Sequence, residues 1–468
     1  MRRTKIVATI GPASADPETL VRLVDAGLDV ARLNFAHGTP ESQARTAERV
    51  REAADRAGKQ VAILQDLPGP KLRIGPLRDD VADLHPGDNL TLVCGDSIEG
   101  DASRMSVGWH GLAAAVEPGD EIYLADGSVR LCVEAVREGS AEVDACVDLG
   151  GVVASRQGVN VPGELMTLPS VPERDLELLR HGEAIGVDLV ALSFVRRPED
   201  VTELRRHTDL PLIAKIEKPQ AVRNIEQIVV ASDCVMVARG DLGIELPLEQ
   251  VPVVQKHVIA MAGRHARPVI TATQMLESMV TSSRPTRAEV TDVANAILDG
   301  TDALMLSQET AVGAYPVEAV RMMASVAEST EPDAPYADWN EHRVQRDARD
   351  PAYTIAYNAC AAVRQLGLAA IVCPTLSGRS ARLISAHRPE VPVYALSPAD
   401  EVVRRCELMW GVEGAPMARC ETTEELIADA VARTLDLGWV EPGQRVAITA
   451  GLPSGEPGTT SLLQIQEV

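Results

Sequence analysis

Aromatic side chains are scarce: two Phe, four Trp and six Tyr make up 3% of 468 residues. Stacking platforms for single-stranded nucleic acid need aromatic faces in a basic groove, so that class of function is excluded. Positive charge is in deficit as well. With 45 Lys and Arg against 68 Asp and Glu, the net charge of -23 repels phosphate backbones and anionic lipid surfaces at long range. Neither nucleic acid nor a membrane is expected as a partner, and any anionic substrate must be captured by locally clustered cations. No stretch approaches the ~18 uninterrupted apolar residues of a membrane span. The opening MRRTKIVATIGPAS reaches Gly11 and Pro12 before any apolar run long enough for a signal peptide, which predicts a cytoplasmic protein. The eight cysteines (Cys94, Cys132, Cys146, Cys234, Cys360, Cys373, Cys406 and Cys420) show no CxxC spacing. Reduced, mostly buried thiols are expected rather than a zinc site or a disulfide framework.

What is present is an ordinary globular balance, 45% hydrophobic and 24% charged residues, in a chain long enough for about three domains at ~150 residues each. Short aliphatic or β-branched runs recur at 5–10, 29–34, 60–66, 188–194, 212–216, 234–238, 268–272 and 303–306. Segments of helical period follow them, such as 17–26, 40–57 and 316–328, several with Pro or an acidic residue in the first turn. Eight β-then-α units predict a TIM (β/α)8 barrel. Between the third and fourth runs, DLHPGDNLTLVC, VEPGDEIYLADGSVRLCVEAV and EVDACVDLGGVV alternate with a two-residue period between turn signals and predict a small inserted β domain. After the polar linker EPDAPYADWNEHRVQRDARDP, strands near 369–373, 391–395 and 445–449 predict a separate α/β domain. The expected divisions are 1–70 and 168–335 for the barrel, 71–167 for the insertion and 336–468 for the C-terminal domain.

A TIM barrel presents its reactive groups at the C-terminal ends of its strands. Those ends carry Arg32 and Asn34, Asp66, Ser193 and Phe194, Lys215 and Glu217, Arg239 and Asp241, Thr271 and Thr273, and Ser307 and Glu309. A barrel core needs only apolar strand interiors, so polar groups repeating at one end imply a shared pocket. In LPLIAKIEKPQAV, Lys215 and Glu217 lie two apart on an extended strand and face the same way. An ordinary ion pair would bury charge at several kcal/mol without functional return, which favours a ligand or metal there. In CVMVARGDLGIELP the glycines allow a tight turn that presents N–H groups to an anion, and Asp241 is free for a hard cation. Glu217 and Asp241 together supply the two carboxylates that Mg²⁺ accepts while keeping waters and substrate oxygens.

IAKIEKPQAV, VMVARGDLGIELP, TATQMLESM, SRPTRAEVTDVANAILDGTDALMLSQET, TKIVATIGPAS and ARLNFAHG resemble the pyruvate kinase family from end to end. The resemblance implies a TIM barrel with an inserted small β-barrel lid domain that closes over the nucleotide, and a C-terminal α/β effector-binding domain. It also implies a homotetramer and the transfer of the phosphoryl group of phosphoenolpyruvate to ADP, giving pyruvate and ATP. Residue by residue, Glu217 and Asp241 match ligands of Mg²⁺ or Mn²⁺, and Lys215 matches the lysine that neutralises the phosphoryl in flight and the enolate. Backbone amides around Arg239, Gly240 and Asp241 match the cradle of the substrate carboxylate, with Ser193 and Ser307 in the substrate wall. Thr273 matches the threonine linked to enolate protonation through water. Arg32 and Arg73 match phosphate-gripping arginines, and Asn34 and His37 match nucleotide-side residues. Phosphoryl transfer needs positioning and charge neutralisation more than covalent help, which fits this set of groups.

The departures are as informative. LQDLPGPKLRIG places Lys71 where potassium-dependent members carry glutamate, Leu67 where threonine is usual, and Ala36 replaces a serine in NFAHG. A fixed ammonium can take the electrostatic role of K⁺ and repel a second monovalent cation, so K⁺ is expected not to be required. The degraded site would comprise Asn34, Asp66 and Leu67. The competing reading is a solvated Lys71, with K⁺ still held by Asp66 and Asn34. Gln157 stands where a lysine often nears the nucleotide phosphates, a change that lowers the expected affinity for ADP, and Gln308 replaces a usual glycine. In TLSGRSARLISAHRP, Thr375, Ser377, Gly378, Arg379 and Ser380 follow a strand and suit a phosphate at a helix N-terminus, beyond what a simple cap explains. In the family this loop binds phosphorylated sugar or nucleotide effectors, and AGLPSGEPGTTSLLQIQEV resembles bacterial members whose GTT turn completes that pocket. Two rivals are another Mg²⁺-enolate barrel lyase, which would lack the lid and terminal domain, and a catalytically weakened phosphometabolite sensor. Retention of Lys215, Glu217, Asp241 and Thr273 speaks against the second.

Overall fold

The structure, a computed structural model, describes residues 2–95, 98–137, 139, 141–161, 168–344, 350–451 and 460–468. Eight parallel strands close into a barrel: β1 (Lys5–Thr9), β2 (Val30–Asn34), β3 (Ala62–Asp66), β4 (Leu189–Leu192), β5 (Leu212–Ile216), β6 (Cys234–Ala238), β7 (Val269–Ala272) and β8 (Ala303–Leu306). β1, β3, β5, β6, β7 and β8 are buried at every position, which is why they read as continuous apolar runs rather than as alternation. The helix Pro17–Ala26 shows how local chemistry sets the boundaries. Asp16 accepts from the Thr19 N–H at its start, Pro17 fits the first turn, and Gly27 at φ 115° ends it in a conformation costly for any side chain.

The floor of the barrel has a regularity of its own. Asp29, Asp188, Asp233 and Asp302 immediately precede β2, β4, β6 and β8, and each carboxylate accepts the N–H that opens the preceding strand or lies one residue in. The bonds come from Ile6 at 2.6 Å, Ile63 at 2.8 Å, Leu212 at 2.9 Å and Val269 at 3.0 Å. The backbone N–H of each aspartate returns a bond to the carbonyl of that same residue. Each is also gripped by arginine: Arg2, Arg51 with Arg404, Arg205 with Arg267, and Arg388 with Arg343.

The inserted small barrel takes the form of a seven-stranded sheet with a separate two-stranded ribbon, around a core that includes Leu84, Leu92, Met105, Ile122, Leu131 and Val143. The C-terminal unit is a five-stranded sheet, four strands parallel and the last, Leu462–Glu467, antiparallel. It docks on the barrel floor through Lys5–Glu407 at 3.0 Å, Arg404–Asp188 at 2.8 Å and Arg388–Asp302 at 2.7 Å. Among the described residues no helix is long and apolar enough to cross a membrane.

Candidate active site

Lys215, near the end of β5, is the centre of the polar cluster. Its ammonium lies 2.9 Å from Glu217 Oε1 and 3.4 Å from Asp66 Oδ1, and it donates to Ser193 Oγ at 2.8 Å. Burial would lower its pKa, but Asp66, Glu217 and Asp241 outweigh burial and hold it above the ordinary lysine value, firmly protonated. Asp66 closes the other side. Burial alone would push its carboxyl up, yet Lys215 and Arg32 hold it below the usual range, and Arg32 Nε donates to Asp66 Oδ2 at 2.7 Å. Arg32 is further fixed by Thr9 Oγ1 at 2.8 Å.

Glu217 is fully buried, with Oε2 accepting from the Phe194 N–H at 2.6 Å. That bond exists because Phe194 adopts φ 57°, a strained conformation for a bulky residue. The other oxygen, Oε1, has no aligned hydrogen-bond donor despite its proximity to the Lys215 ammonium. Burial, followed by the Asp241 charge, pushes Glu217 up against the pull of Lys215. A buried carboxylate oxygen without an aligned donor, beside a second carboxylate, fits a hard divalent ion that completes its shell with water and ligand oxygens. Among the described residues no group of three or more His, Cys, Asp or Glu gathers to hold a metal ion, so an ion between Glu217 and Asp241 would draw the rest of its shell from water and substrate.

Asp241 sits in the first turn of the helix Arg239–Glu245. The Gly240 N–H donates to Thr273 Oγ1 at 2.7 Å, and that hydroxyl donates to the Ala272 carbonyl at 2.6 Å. Thr273 and Gln274 both have positive φ, 70° and 54°, so backbone strain is concentrated at this turn. The Arg239 side chain turns to Asp292 at 2.7 Å and to the Thr273 carbonyl at 2.7 Å, acting as a strut that ties the β6 turn to the β7 turn. Ser307 N–H donates to Glu309 Oε2 at 2.7 Å, while Glu309 Oε1 accepts from Leu276 at 3.1 Å, tying the β8 turn to the β7 turn.

On the opposite side Asn34 Oδ1 accepts from the Ala36 N–H at 3.1 Å. His37 is exposed, its pKa lowered by partial burial and then by the charges of Arg73, Arg32 and Lys71, which places three cations from barrel and lid around it. Lys71 is partly buried and its ammonium approaches Asp241 Oδ1 at 4.0 Å. Leu67 is wholly buried in the barrel core, leaving only its carbonyl, which accepts from Ser193 Oγ at 2.8 Å, near the site. Gln157 Oε1 accepts from Ala154 at 2.7 Å and so closes its own turn, and Gln308 is exposed beside Ser307.

Two features were not anticipated from the sequence. Ser193 holds Lys215 from behind, since its hydroxyl is spent between that ammonium and Leu67. Asp175, buried in the first turn of the helix Glu173–Ala184, accepts from the Gly69 N–H at 2.8 Å and anchors the loop that delivers Lys71. Gly69 itself, at φ 67°, lies where a Cβ would sit 3.0 Å from Phe194 and Ser193.

The chain matches the family descriptions "Pyruvate kinase, barrel domain" over residues 1–320 and "Pyruvate kinase, alpha/beta domain" over residues 353–466. The chain belongs to the pyruvate kinase family. It is 42% identical over 473 residues to the pyruvate kinase of Geobacillus stearothermophilus, covering all of this chain and 80% of that one. It is 39% identical over 474 residues to the pyruvate kinase of Clostridium acetobutylicum, with both chains covered completely. A crystal structure of a pyruvate kinase from Cryptosporidium parvum superposes with a TM-score of 0.91 at 34% identity, covering 100% of this chain and 96% of that one. The activity is therefore phosphoryl transfer between phosphoenolpyruvate and ADP, in a family that is generally Mg²⁺-dependent. The barrel, the additional β domain and the terminal α/β domain are the pyruvate kinase fold.

Proposed function

We propose that this chain's mouth residues divide the pyruvate kinase reaction as follows. Lys215 neutralises charge on the phosphoryl group in flight and then on the enolate, and Asp66 and Ser193 hold its ammonium in place. The Asp241 amide receives the substrate carboxylate, joined by the Gly240 amide as it gives up its bond to Thr273 Oγ1, with Ser307 in the adjoining wall. Thr273, held by Gly240, passes a proton to the enolate through water. Arg32 and Arg73 grip phosphates, and Asn34 and His37 face the nucleotide. Glu217 and Asp241 hold Mg²⁺ or Mn²⁺, which when bound supplies Lewis-acid neutralisation of the phosphate oxygens. The observation that carries this reading is Glu217, fixed through one oxygen by the Phe194 amide with the other oxygen turned to Lys215 and lacking an aligned donor. A coupled assay of pyruvate formation from phosphoenolpyruvate and ADP tests it. Turnover should require a divalent ion and fall at least ~10²-fold in Glu217→Gln; undiminished turnover in that variant would remove the metal assignment.

Potassium independence belongs to the same reading. Lys71 reaches towards Asp241, and the degraded K⁺ site has lost side-chain ligands at Ala36 and Leu67, which favours the fixed ammonium over the solvated lysine. In the C-terminal unit, the Gly378 N–H donates to Thr375 Oγ1 at 3.0 Å, Ser380 bonds Thr460, Arg379 pairs with Asp350, and Ser377 is exposed. Gly458 and Thr459 of the GTT turn lie outside the described residues. A phosphorylated sugar or nucleotide effector would bind here by displacing Asp350 from Arg379. Divisions at 1–70, 71–167, 168–335 and 336–468, a homotetramer and a cytoplasmic location complete the proposal. Mass photometry of the full chain reads the assembly directly.

A further inference from the structure

Five of the eight cysteines, Cys94, Cys234, Cys360, Cys373 and Cys406, are buried, and burial pushes their thiols up, to about 12 for Cys360 and Cys373. Cys420 is partly exposed, and its thiol is raised by burial and by Asp429. Cys132 and Cys146 differ from all of these in their placement. They sit on the lid's two longest strands, Val129–Arg137 and Glu142–Leu149, and are direct partners in the antiparallel ladder between them. Directly opposed residues of an antiparallel pair project from the same face. Both lie on the partly exposed side of the alternation, in a row that runs Glu121, Cys132, Cys146, Asn89 across neighbouring strands. Opposed Cα atoms in such a ladder stand about 4.5 or 5.5 Å apart. Disulfides span about 4.4–6.8 Å between Cα atoms, so the backbone is already in range. Each sulfur now rests 3.9 or 3.8 Å from the carbonyl of the next residue in its own strand, so only side-chain rotation is needed to bring the pair together.

We propose that Cys132 and Cys146 form a redox-active dithiol on the lid, oxidised to an intramolecular cross-strand disulfide by low-molecular-weight disulfides of the glutathione class. One thiolate attacks the oxidant's S–S bond, giving a mixed disulfide and releasing one small thiolate. The facing thiolate then attacks the protein sulfur of that mixed disulfide, and the second small thiolate leaves. Two protons and two electrons leave the pair, and the oxidant's S–S bond is reduced to two thiols. The link clamps the lid's central hairpin and closes the loop between residues 132 and 146, restricting chain freedom in that part of the lid.

The test treats the native full-length protein with oxidised glutathione and maps it by non-reducing digestion and mass spectrometry. The expected product has lost the mass of two hydrogens and links the peptides of Cys132 and Cys146. Amide exchange in 129–137 and 142–149 should slow and recover on reduction. Cys132→Ser and Cys146→Ser should each leave a glutathione adduct on the remaining cysteine, while both variants, reduced, keep the parent kcat and KM. Separate adducts on both residues without a link, a link to any other cysteine, or two unmodified thiols would each overturn the proposal.

Discussion

At the floor of the barrel, Asp302 accepts from the Val269 N–H at 3.0 Å and pairs with Arg388 at 2.7 Å and Arg343 at 3.5 Å. At the mouth, Glu217 has one oxygen fixed and the other without an aligned donor, and Asp241 stands partly exposed with Lys71 at 4.0 Å. Both ends use the same residue types in the same parallel strands. The floor saturates its acids until cations are in surplus: burial and Arg388 drive the Arg343 guanidinium down to about 9 despite Asp302. The mouth leaves Glu217 Oε1 without an aligned donor beside Asp241, which costs stability and is where the proposed divalent cation would sit. Buried charge is therefore a poor marker of a site, whereas a buried acid short of donors beside a second carboxylate is a better one, since the floor's unpartnered charged-group atoms, Arg343 Nε and Arg388 Nε, belong to cations.

The sharpest way to break this comparison is to delete one buried charge at each end, a cation at the mouth and an anion at the floor. Lys215→Met should lower kcat by at least ~10²–10³-fold and should also lower the unfolding temperature, because it leaves the buried Glu217 without its cation while Asp66 keeps Arg32. A variant with near-parent turnover would sink the assignment of Lys215. At the floor, Asp302→Asn leaves two buried guanidinium groups facing a neutral amide. It should cost roughly 3–5 kcal/mol in denaturant unfolding, with kcat unchanged in the folded fraction. A stable variant with impaired turnover would mean that the two ends are not separable.

Much of this was open to reading from residues alone, for a physical reason. Strands buried on both faces leave apolar runs with sharp polar ends, so all eight barrel strands and the mouth residues could be placed. The run at 188–194 shows the limit: β4 stops at Leu192, and the next turn puts Phe194 at positive φ to aim its amide at Glu217. No propensity predicts a phenylalanine there, since the strain is held by tertiary structure. Asp175 escaped notice because Gly69, its partner, lies 106 residues away. The floor aspartates did carry a signal, the acid in GLDV, GVDL, ASDC and GTDA one residue before alternate strands. Its meaning depends on a barrel that brings each carboxylate to the start of the preceding strand.

Asp175 sharpens the comparison further, as a mouth acid with only backbone and weak charge partners. Burial raises its carboxyl to about 6 against an ordinary value near 3.8, with the Gly69 bond and Arg174 opposing. The unfolded chain therefore loses this proton first, and the group's contribution to stability, complete below about pH 4, is lost as pH rises through about 6. Asp175→Asn keeps an acceptor for Gly69 and removes the titration. It should match the parent near pH 4 and exceed it by on the order of 2 kcal/mol at pH 8. Parallel stability profiles for the two proteins across that range would refute the raised pKa.

The smallest expected effect concerns Lys71, the residue whose charge we propose sets which ions the mouth must recruit. Replacing it with glutamate adds a carboxylate to Asp66, Glu217 and Asp241 and removes the ammonium near Asp241, a change of two charges in a partly buried cleft. On the proposed reading a monovalent cation then becomes favourable there, though Leu67 and Ala36 still withhold side-chain ligands, so recovery should be partial. In the parent, exchanging potassium for a large inert cation should leave turnover nearly unchanged. In Lys71→Glu, turnover without potassium should fall roughly tenfold, about 1.4 kcal/mol in barrier, and rise when potassium is added. A parent that loses tenfold without potassium would show that Lys71 leaves the ion requirement intact. A glutamate variant indifferent to potassium would show that the backbone carbonyls and Asn34 cannot hold the ion by themselves, and that the lost hydroxyl ligands, rather than the lysine, set the ion requirement.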